Sequence, residues 1–496
     1  MKKSFGEVTL NQLGPNPGIP VVGDRRIKST VSVCPECLRK IDAEVVARAG
    51  QVWLEKSCPS HGEFNALLSS SEAYYHETSA RFPNTGSCCG VSPDPAASIA
   101  GGDTPWANHS CTILIEITER CNLSCPTCFA GSSPNHTKMM DMATFKSRVD
   151  GLLAGGKQAS DTIQLSGGEP TIHPNLFEMV DHLYSSGFMS VTINSNGIKL
   201  AQAGFAERLA ECKNAYPSAE LFVYLQFDGF DDSTHEHLRG RSDLLPLKRR
   251  ALEACVKNGI KVHPVMTLTR GINDHEVGRF VSIAIENPAI KHIVIQPAMY
   301  SGRYENARRI DRLTLADTAE LIIAQLGIFE TEDFGPIPCS DPNCHGIAVA
   351  VRSGDGLIPI SRYFPRIENW NDEEARDLID RFSNSLDGPA GMAAALQWAL
   401  SDERAAACLN DVDDSEIERL LDAICEDSAT GDVGWERMLT ISIKPFMDAW
   451  TYDQDRIDKC CVHILDDQGT PVSLCEFNAI NRPQLIRGEH HASNAV

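Results

Sequence analysis

Nowhere in this 496-residue chain do the roughly 18 uninterrupted apolar residues of a membrane helix occur. The best candidate, TAELIIAQLGIF at 318–329, is short and carries Glu320, so no transmembrane segment is expected. The start, MKKSFGEVTL, has two lysines but no apolar run behind them, which predicts no secretory signal and a cytoplasmic protein. Positive charge is also scarce: 45 Lys+Arg against 67 Asp+Glu give a net charge of −22. Sequence-independent nucleic-acid binding needs basic surface to displace counterions, so this balance argues against a nucleic-acid partner. Internal repeats are lacking too, and the length exceeds one ordinary core, which favours two or three domains.

Cysteine is abundant. Eighteen cysteines in a chain without an export signal point away from disulfides and toward metal or redox work, because the cytosol keeps thiols reduced. Four of them, Cys212, Cys255, Cys408 and Cys425, stand singly in helix-like stretches and read as small core residues. The other fourteen cluster. Cys34 and Cys37 form a C-x2-C knuckle, and Cys58 with His61 forms a C-x2-H knuckle twenty residues later, joined by the hairpin-like VVARAGQVWLEK. Four N/S ligands at that spacing predict one tetrahedral site, either zinc or a rubredoxin-like iron. The Pro/Gly/Ser-rich stretch 83–110 reads as a connector, and it carries Cys88, Cys89 and His109 just ahead of Cys111.

Beyond the connector, apolar β-rich runs (CTILIEIT, DTIQLSGGEP, SVTINSNG, LFVYLQFDG, IKVHPVMTLT, KHIVIQPAM) alternate with helix-like segments. Six such βα units predict a parallel sheet covered by helices, open or curled into a barrel, with ligands at the C-terminal ends of the strands. The expected division is 1–82 for the metal knuckles, 83–110 for the connector, 111–310 for the α/β core and 311–496 for a C-terminal region with a helical insertion near 370–430. That last region carries Cys339, Cys344, Cys460, Cys461 and Cys475.

Three cysteines, Cys121, Cys125 and Cys128, fall within eight positions after the first core strand. Iron–sulfur clusters and zinc sites want four protein ligands, so a C-x3-C-x2-C triplet either borrows a distant ligand or leaves one metal unsaturated. With Phe129 next and GGEP closing the second strand, the chain resembles the radical S-adenosylmethionine superfamily. The resemblance implies a partial (β/α)6 barrel and a [4Fe–4S] cluster on the triplet. The open iron of that cluster binds S-adenosylmethionine, whose reductive cleavage yields a 5′-deoxyadenosyl radical; an electron donor such as ferredoxin or flavodoxin is implied as well. By the same resemblance Gly167, Gly168 and Glu169 meet the methionine amino group, while Asn194, Ser195, Asn196, Gln226 and Asp228 meet the ribose or carboxylate.

A narrower resemblance rests on CPECLRKIDAEV with KSCPSHGEF, on HSCTILIEITERCNLSCPTCFA, and on KPFMDAWTYDQDRIDKCCVH with CEFN. These look like the group that includes methanopterin-methylating enzymes and tetraether lipid synthases, although the cysteine motif before the first strand is compressed here to SCCG. The group implies C–C bond formation at an unactivated carbon of a small molecule or lipid chain, with further metal centres. A peptide-modifying radical enzyme and an iron–sulfur electron carrier or redox sensor are the alternatives. After the isolated cysteines, the triplet and the knuckles, eight remain: Cys88, Cys89, Cys111, Cys339, Cys344, Cys460, Cys461 and Cys475. Eight thiolates suffice for two auxiliary [4Fe–4S] clusters. Anaerobically reconstituted protein should then carry about 13 Fe, or about 12 Fe and one Zn, by elemental analysis. A content near four Fe would remove the auxiliary sites.

Overall fold

The computed structural model describes residues 24–81, 110–153, 160, 162–304, 312–337, 340–353, 356–361 and 437–487. Cys88, Cys89, His109, Cys339, Cys408, Cys425 and the expected 370–430 insertion lie outside these residues.

The N-terminal strands β1 (Arg25–Val33), β2 (Lys40–Arg48), β3 (Gln51–Cys58) and β4 (Gly62–Ser69) form an antiparallel sheet in sequence order. Arg48 pairs with Gln51 across a two-residue turn in which Ala49 and Gly50 both have positive φ, the turn geometry that matches strand twist. Alternation along β3 puts Val52 and Leu54 against Val45 and Tyr75 in a small core, and Lys56 and Cys58 on the same buried side. Lys56 Nζ donates to Ser32 Oγ at 3.0 Å and to the carbonyls of Ala449 and Trp450 at 2.7 and 2.9 Å, so the ribbon docks on the C-terminal part of the chain.

The α/β core has the six strands read from the sequence: β5 (Thr112–Thr118), β6 (Thr162–Gly167), β7 (Ser190–Ser195), β8 (Glu220–Gln226), β9 (Lys261–Leu268) and β10 (His292–Pro297). They pair in parallel and in sequence order. The C-terminal stretch extends this sheet at both ends. β13 (Met438–Ile443) adds in parallel to β10, backed by β11 (Gly346–Ser353) and β12 (Gly356–Pro359), while β14 (Val462–Leu465) and β15 (Pro471–Ser473) add beside β5. Among the described residues the sheet has eleven strands, and it forms a partial barrel.

The strands looked almost continuously apolar in sequence, yet their two faces differ. Ile113, Ile163, Val191, Leu221, Val262, Ile293 and Ile441 point into the main core, packed under the helices. The residues of opposite parity, such as Gln164, Asn194, Gln226, Thr267, Gln296 and Lys444, line a cavity on the concave face. Period-two alternation therefore separates a dry outer layer from a polar interior.

Within that interior His263 and His292 meet at 4.6 Å between centroids with their planes tilted by 56°, and His292 Nε2 lies 2.6 Å from Ser442 Oγ. Burial, with Lys444 and Lys261 nearby, pushes His263 down to about 3. Burial, then His263 and Lys444, holds His292 well below its ordinary value. In the unfolded chain both protonate near pH 6.5. Their neutral forms are thus compatible with the fold above that pH, and stability is lost as pH falls through 6.5 toward the folded values. The half-buried pair should remove about 2–4 kcal/mol between pH 7 and pH 5. Urea unfolding should show this slope reduced by roughly half in His263→Gln; an unchanged slope would assign the acid sensitivity elsewhere.

Candidate functional site

The triplet loop leaves β5 and is stitched at its base to the end of β6. Gly168 N donates to Thr118 O at 2.7 Å and Glu169 N to Arg120 O at 3.0 Å. A Cβ on Gly167, which has φ +117°, would strike Thr118 O, and one on Gly168 would strike Arg120 O. The two glycines are required by this contact between loops, whichever ligand lies above them. From the other side Arg303 donates to the carbonyls of Cys125, Gly131 and Ser132 at 2.8, 2.6 and 2.7 Å, which fixes the curve of the loop. Sequence reasoning passed over Arg303; its only signal was its place just after the sixth core strand.

Of the eight residues expected at the cofactor, seven line the cavity with the triplet: Gly167, Gly168, Glu169, Asn194, Ser195, Asn196 and Gln226. The Glu169 carboxylate, 1 % exposed, is already engaged by Thr171 N at 3.1 Å, Ser195 Oγ at 2.9 Å and Asn196 N at 2.7 Å. Its side chain ties the end of β7 to the end of β6, leaving the backbone of the Gly–Gly–Glu segment and the Asn196 amide at the cavity. Asn196 Nδ2 reaches Asn122 Oδ1 at 2.7 Å, next to Cys121.

Asp228 departs from expectation. It is fully buried with φ +70°, and both oxygens face Arg239, at 2.7 Å to Nε and 2.6 Å to Nη2. Thr267 N and Gln226 Nε2 also donate to Oδ1, at 3.1 and 2.7 Å. Although burial opposes it, Arg239 holds Asp228 down at about 2. Fully buried and engaged on both oxygens, this carboxylate does not line the cavity. It orients Arg239, which also donates to Thr267 Oγ1 at 2.8 Å and whose charge favours the Cys125 thiolate against burial. Asp228 therefore holds an arginine inside the fold and does not face the cavity.

Burial, then the Glu169 charge, pushes the Cys121 thiol up to about 12, and burial also raises Cys125. Thiols in such a place become thiolates only with strong positive charge at hand, as metal binding provides. The three sulfurs line one cavity of about 270 Å³, but they do not all lie within 4.8 Å of one another. Sulfurs on a single tetrahedral ion would stand about 3.8 Å apart. The spread fits a multinuclear cluster.

The ribbon behaves in the opposite way. Cys34, Cys37, Cys58 and His61 offer ligand atoms all within 4.8 Å, with His61 Nδ1 at 3.5 Å from Cys34 Sγ and 3.4 Å from Cys58 Sγ. Despite burial, Arg39 at 3.4 Å and the neighbouring thiols hold Cys37 down at about 6. One mononuclear ion fits this set. Asp231, His275 and Glu276 also converge, but the Glu276 oxygens accept from Phe230 N, Asp231 N and Thr234 Oγ1 at 2.7, 3.0 and 3.0 Å. That carboxylate caps backbone.

Across the same cavity lie Cys344, Cys460 and Cys475, close enough to raise one another's thiols on top of burial, with Arg456 Nε 3.4 Å from Cys344 Sγ. Cys461 also lines the cavity, and its carbonyl accepts from Cys111 N at 2.9 Å. Cys111 does not line the cavity. Cys255 sits in the main core and Cys212 packs against it, as their helical settings suggested.

Residues 26–70 match the family described as the HMPTM N-terminal zinc ribbon domain, and residues 115–284 match the radical SAM superfamily. Over 496 aligned positions the chain is 29% identical to a 7,8-dihydro-6-hydroxymethylpterin dimethyltransferase of Methanocaldococcus jannaschii, covering 92% of this chain and 94% of that one. A GTP 3′,8-cyclase of Chlorobaculum tepidum is 27% identical over 213 residues, 41% of this chain and 61% of that one. Among solved structures, Streptococcus suis SuiB bound to S-adenosylmethionine overlaps 43% of this chain and 46% of its own, at 19% identity and TM-score 0.35. No helix among the described residues is long and apolar enough to cross a membrane.

Because Glu169 braces two strand ends without facing a metal, Glu169→Gln should retain the wild-type iron content. It should weaken S-adenosylmethionine binding by about tenfold, since one donor of the brace would then face an amide N–H₂. Iron analysis and equilibrium dialysis test the two halves separately, and loss of iron would place Glu169 in the scaffold of the cluster loop.

Proposed function

We propose that this radical S-adenosylmethionine enzyme joins a one-carbon unit to an unactivated carbon of a small polar molecule of the pterin class. The observation that carries the reading is one cavity, polar along its strand-borne wall, shared by the cysteine triplet and a second cysteine group. Its inward side chains include Gln164, Asn194, Gln226, Thr267 and Gln296, whose amide and hydroxyl groups can exchange hydrogen bonds made among themselves for bonds to a heterocycle. The pterin methylase of M. jannaschii, similar over nearly the whole chain, supports the same choice.

Cys121, Cys125 and Cys128 would hold a [4Fe–4S] cluster, which supplies the electron that cleaves S-adenosylmethionine to the 5′-deoxyadenosyl radical. Gly167 and Gly168 present backbone to the methionine end, and Asn194 and Asn196 present side-chain amides on the adjoining strand end. Gln226 sits one strand further along, held by Thr267 Oγ1 at 3.1 Å, where it can orient a ribose or the substrate ring. Cys344, Cys460 and Cys475 are assigned to one auxiliary cluster at the far wall, with its fourth ligand to come from a cysteine outside the described residues. Cys88, Cys89, Cys111 and Cys461 are left for the other. The ribbon holds zinc or iron on Cys34, Cys37, Cys58 and His61. The reducing electron enters from a donor such as ferredoxin or flavodoxin.

With reductant, 7,8-dihydro-6-hydroxymethylpterin and S-adenosylmethionine in excess, one molecule as radical source and a second as methyl donor, the reconstituted enzyme should yield 5′-deoxyadenosine and a pterin heavier by one or two methyl groups. Replacement of Cys121, Cys125 or Cys128 by Ala should abolish both products. Chain-coupled products in a lipid extract, with the pterin unchanged, would overturn the substrate class. 5′-Deoxyadenosine from the Ala variants would overturn the cluster assignment.

A further inference from the structure

We propose that Lys444, with Gln296 beside it, forms an anion subsite that receives a carboxylate or phosphate carried by the substrate. The inference rests on the reading of the cavity as a substrate site and narrows it to a substrate with an anionic arm.

Every other full charge at the cavity wall already has a partner. Arg239 is held by Asp228 at 2.6 and 2.7 Å, Arg482 by Glu116 at 2.8 Å, and Arg456 by Cys344 Sγ at 3.4 Å and Asn343 O at 3.1 Å. Glu169 accepts from Thr171, Ser195 and Asn196. Lys444 is half-buried at the same wall, yet among the described residues its ammonium has no hydrogen bond or ion pair. The titratable rings that feel its charge are His263 and His292, bases held neutral by burial, and no carboxylate among the described residues pairs with it. A cation placed in a walled cavity without a counter-charge favours an anion brought by a ligand.

A second donor stands next to it. Ile295 pairs with Ile443 between neighbouring parallel strands, which brings Gln296 and Lys444 side by side at the strand ends. The Gln296 amide also lines the cavity with no partner among the described residues. The mounting is rigid, because Lys444 N donates to Ile295 O at 2.9 Å and Pro445 restricts Lys444 to extended backbone. The Gly–Gly–Glu segment lies at the end of β6, with β7, β8, β9 and β10 between it and β13. This subsite is therefore set across the sheet from the triplet and its cofactor, on the side left to the substrate.

The test uses the reconstituted holoenzyme in two arms. In the first, Lys444 is acetylated with N-hydroxysuccinimidyl acetate and followed by peptide mass spectrometry, with exposed Lys146 as internal control. Inorganic phosphate should slow labelling of Lys444 several-fold, whereas chloride at equal ionic strength should not. In the second arm, 6-carboxypterin and 6-hydroxymethylpterin are titrated into wild type, Lys444→Gln and Lys444→Arg. Wild type and Lys444→Arg should prefer the carboxylate by about tenfold or more, and Lys444→Gln should show no preference. Protection by phosphate with no binding of either pterin would keep the subsite and overturn the pterin reading. Equal binding of both pterins with no protection would keep the pterin reading and overturn the subsite. Protection of Lys444 by S-adenosylmethionine alone would assign the lysine to the cofactor's carboxylate and overturn the proposal.

Discussion

The contact of two backbone segments, Gly167–Gly168 against Thr118–Arg120, sets the rest of the site. With no side chain at either glycine, the end of β6 lies directly on the root of the triplet loop, and two backbone hydrogen bonds lock the pair. The cysteines are thereby held at the C-terminal edge of the parallel sheet, where strand ends leave backbone groups and polar side chains free to meet a ligand. Glu169 carries the constraint to β7 through Ser195 and Asn196, and Asn196 returns it to Asn122 beside Cys121. One close approach thus fixes three strand ends and the cluster loop as a unit.

What the sequence made legible follows from how local each signal is. The six core strands and the paired knuckles are written in short runs and in spacing, and the structure forms them where expected. Lateral order beyond them was not local. Strands β13 and β14 are separated from their partners β10 and β5 by more than a hundred residues, and a few apolar positions such as MLTISI carry no address for a distant edge. The same limit governed Asp228. As a polar residue at a strand end it resembles a ligand contact, and only the approach of Arg239, eleven residues on, pairs it inside the fold and away from the cavity.

Parity within the strands explains why composition misled about the interior. A run such as ELFVYLQ reads as apolar throughout, yet Leu221, Val223 and Leu225 enter the main core while Tyr224 and Gln226 turn to the cavity. Aromatic rings and long amides tolerate that inner face because each has an apolar body and a polar tip. The outer layer supplies cohesion and the inner layer supplies recognition, within one stretch of chain.

The wall that carries Lys444 is also tied to the metal ribbon. After Pro445 the chain turns through Asp448, whose carboxylate accepts from Tyr300 N at 2.8 Å, Arg312 at 2.7 Å and Trp450 N at 3.0 Å. Lys56 of the ribbon grips the next two carbonyls, and Asp453 accepts from Thr30 Oγ1 at 2.7 Å while pairing with Lys28 at 2.9 Å. Lys56 and Lys28 extend from strands whose register is closed by the Cys34, Cys37, Cys58 and His61 group. Folding of a small four-stranded sheet of this kind depends on its bound ion. An ion on those four ligands would act on the cavity only through the sheet from which the lysines brace the segment after β13. The ribbon thus serves as a strut of the active-site wall, whichever metal fills it.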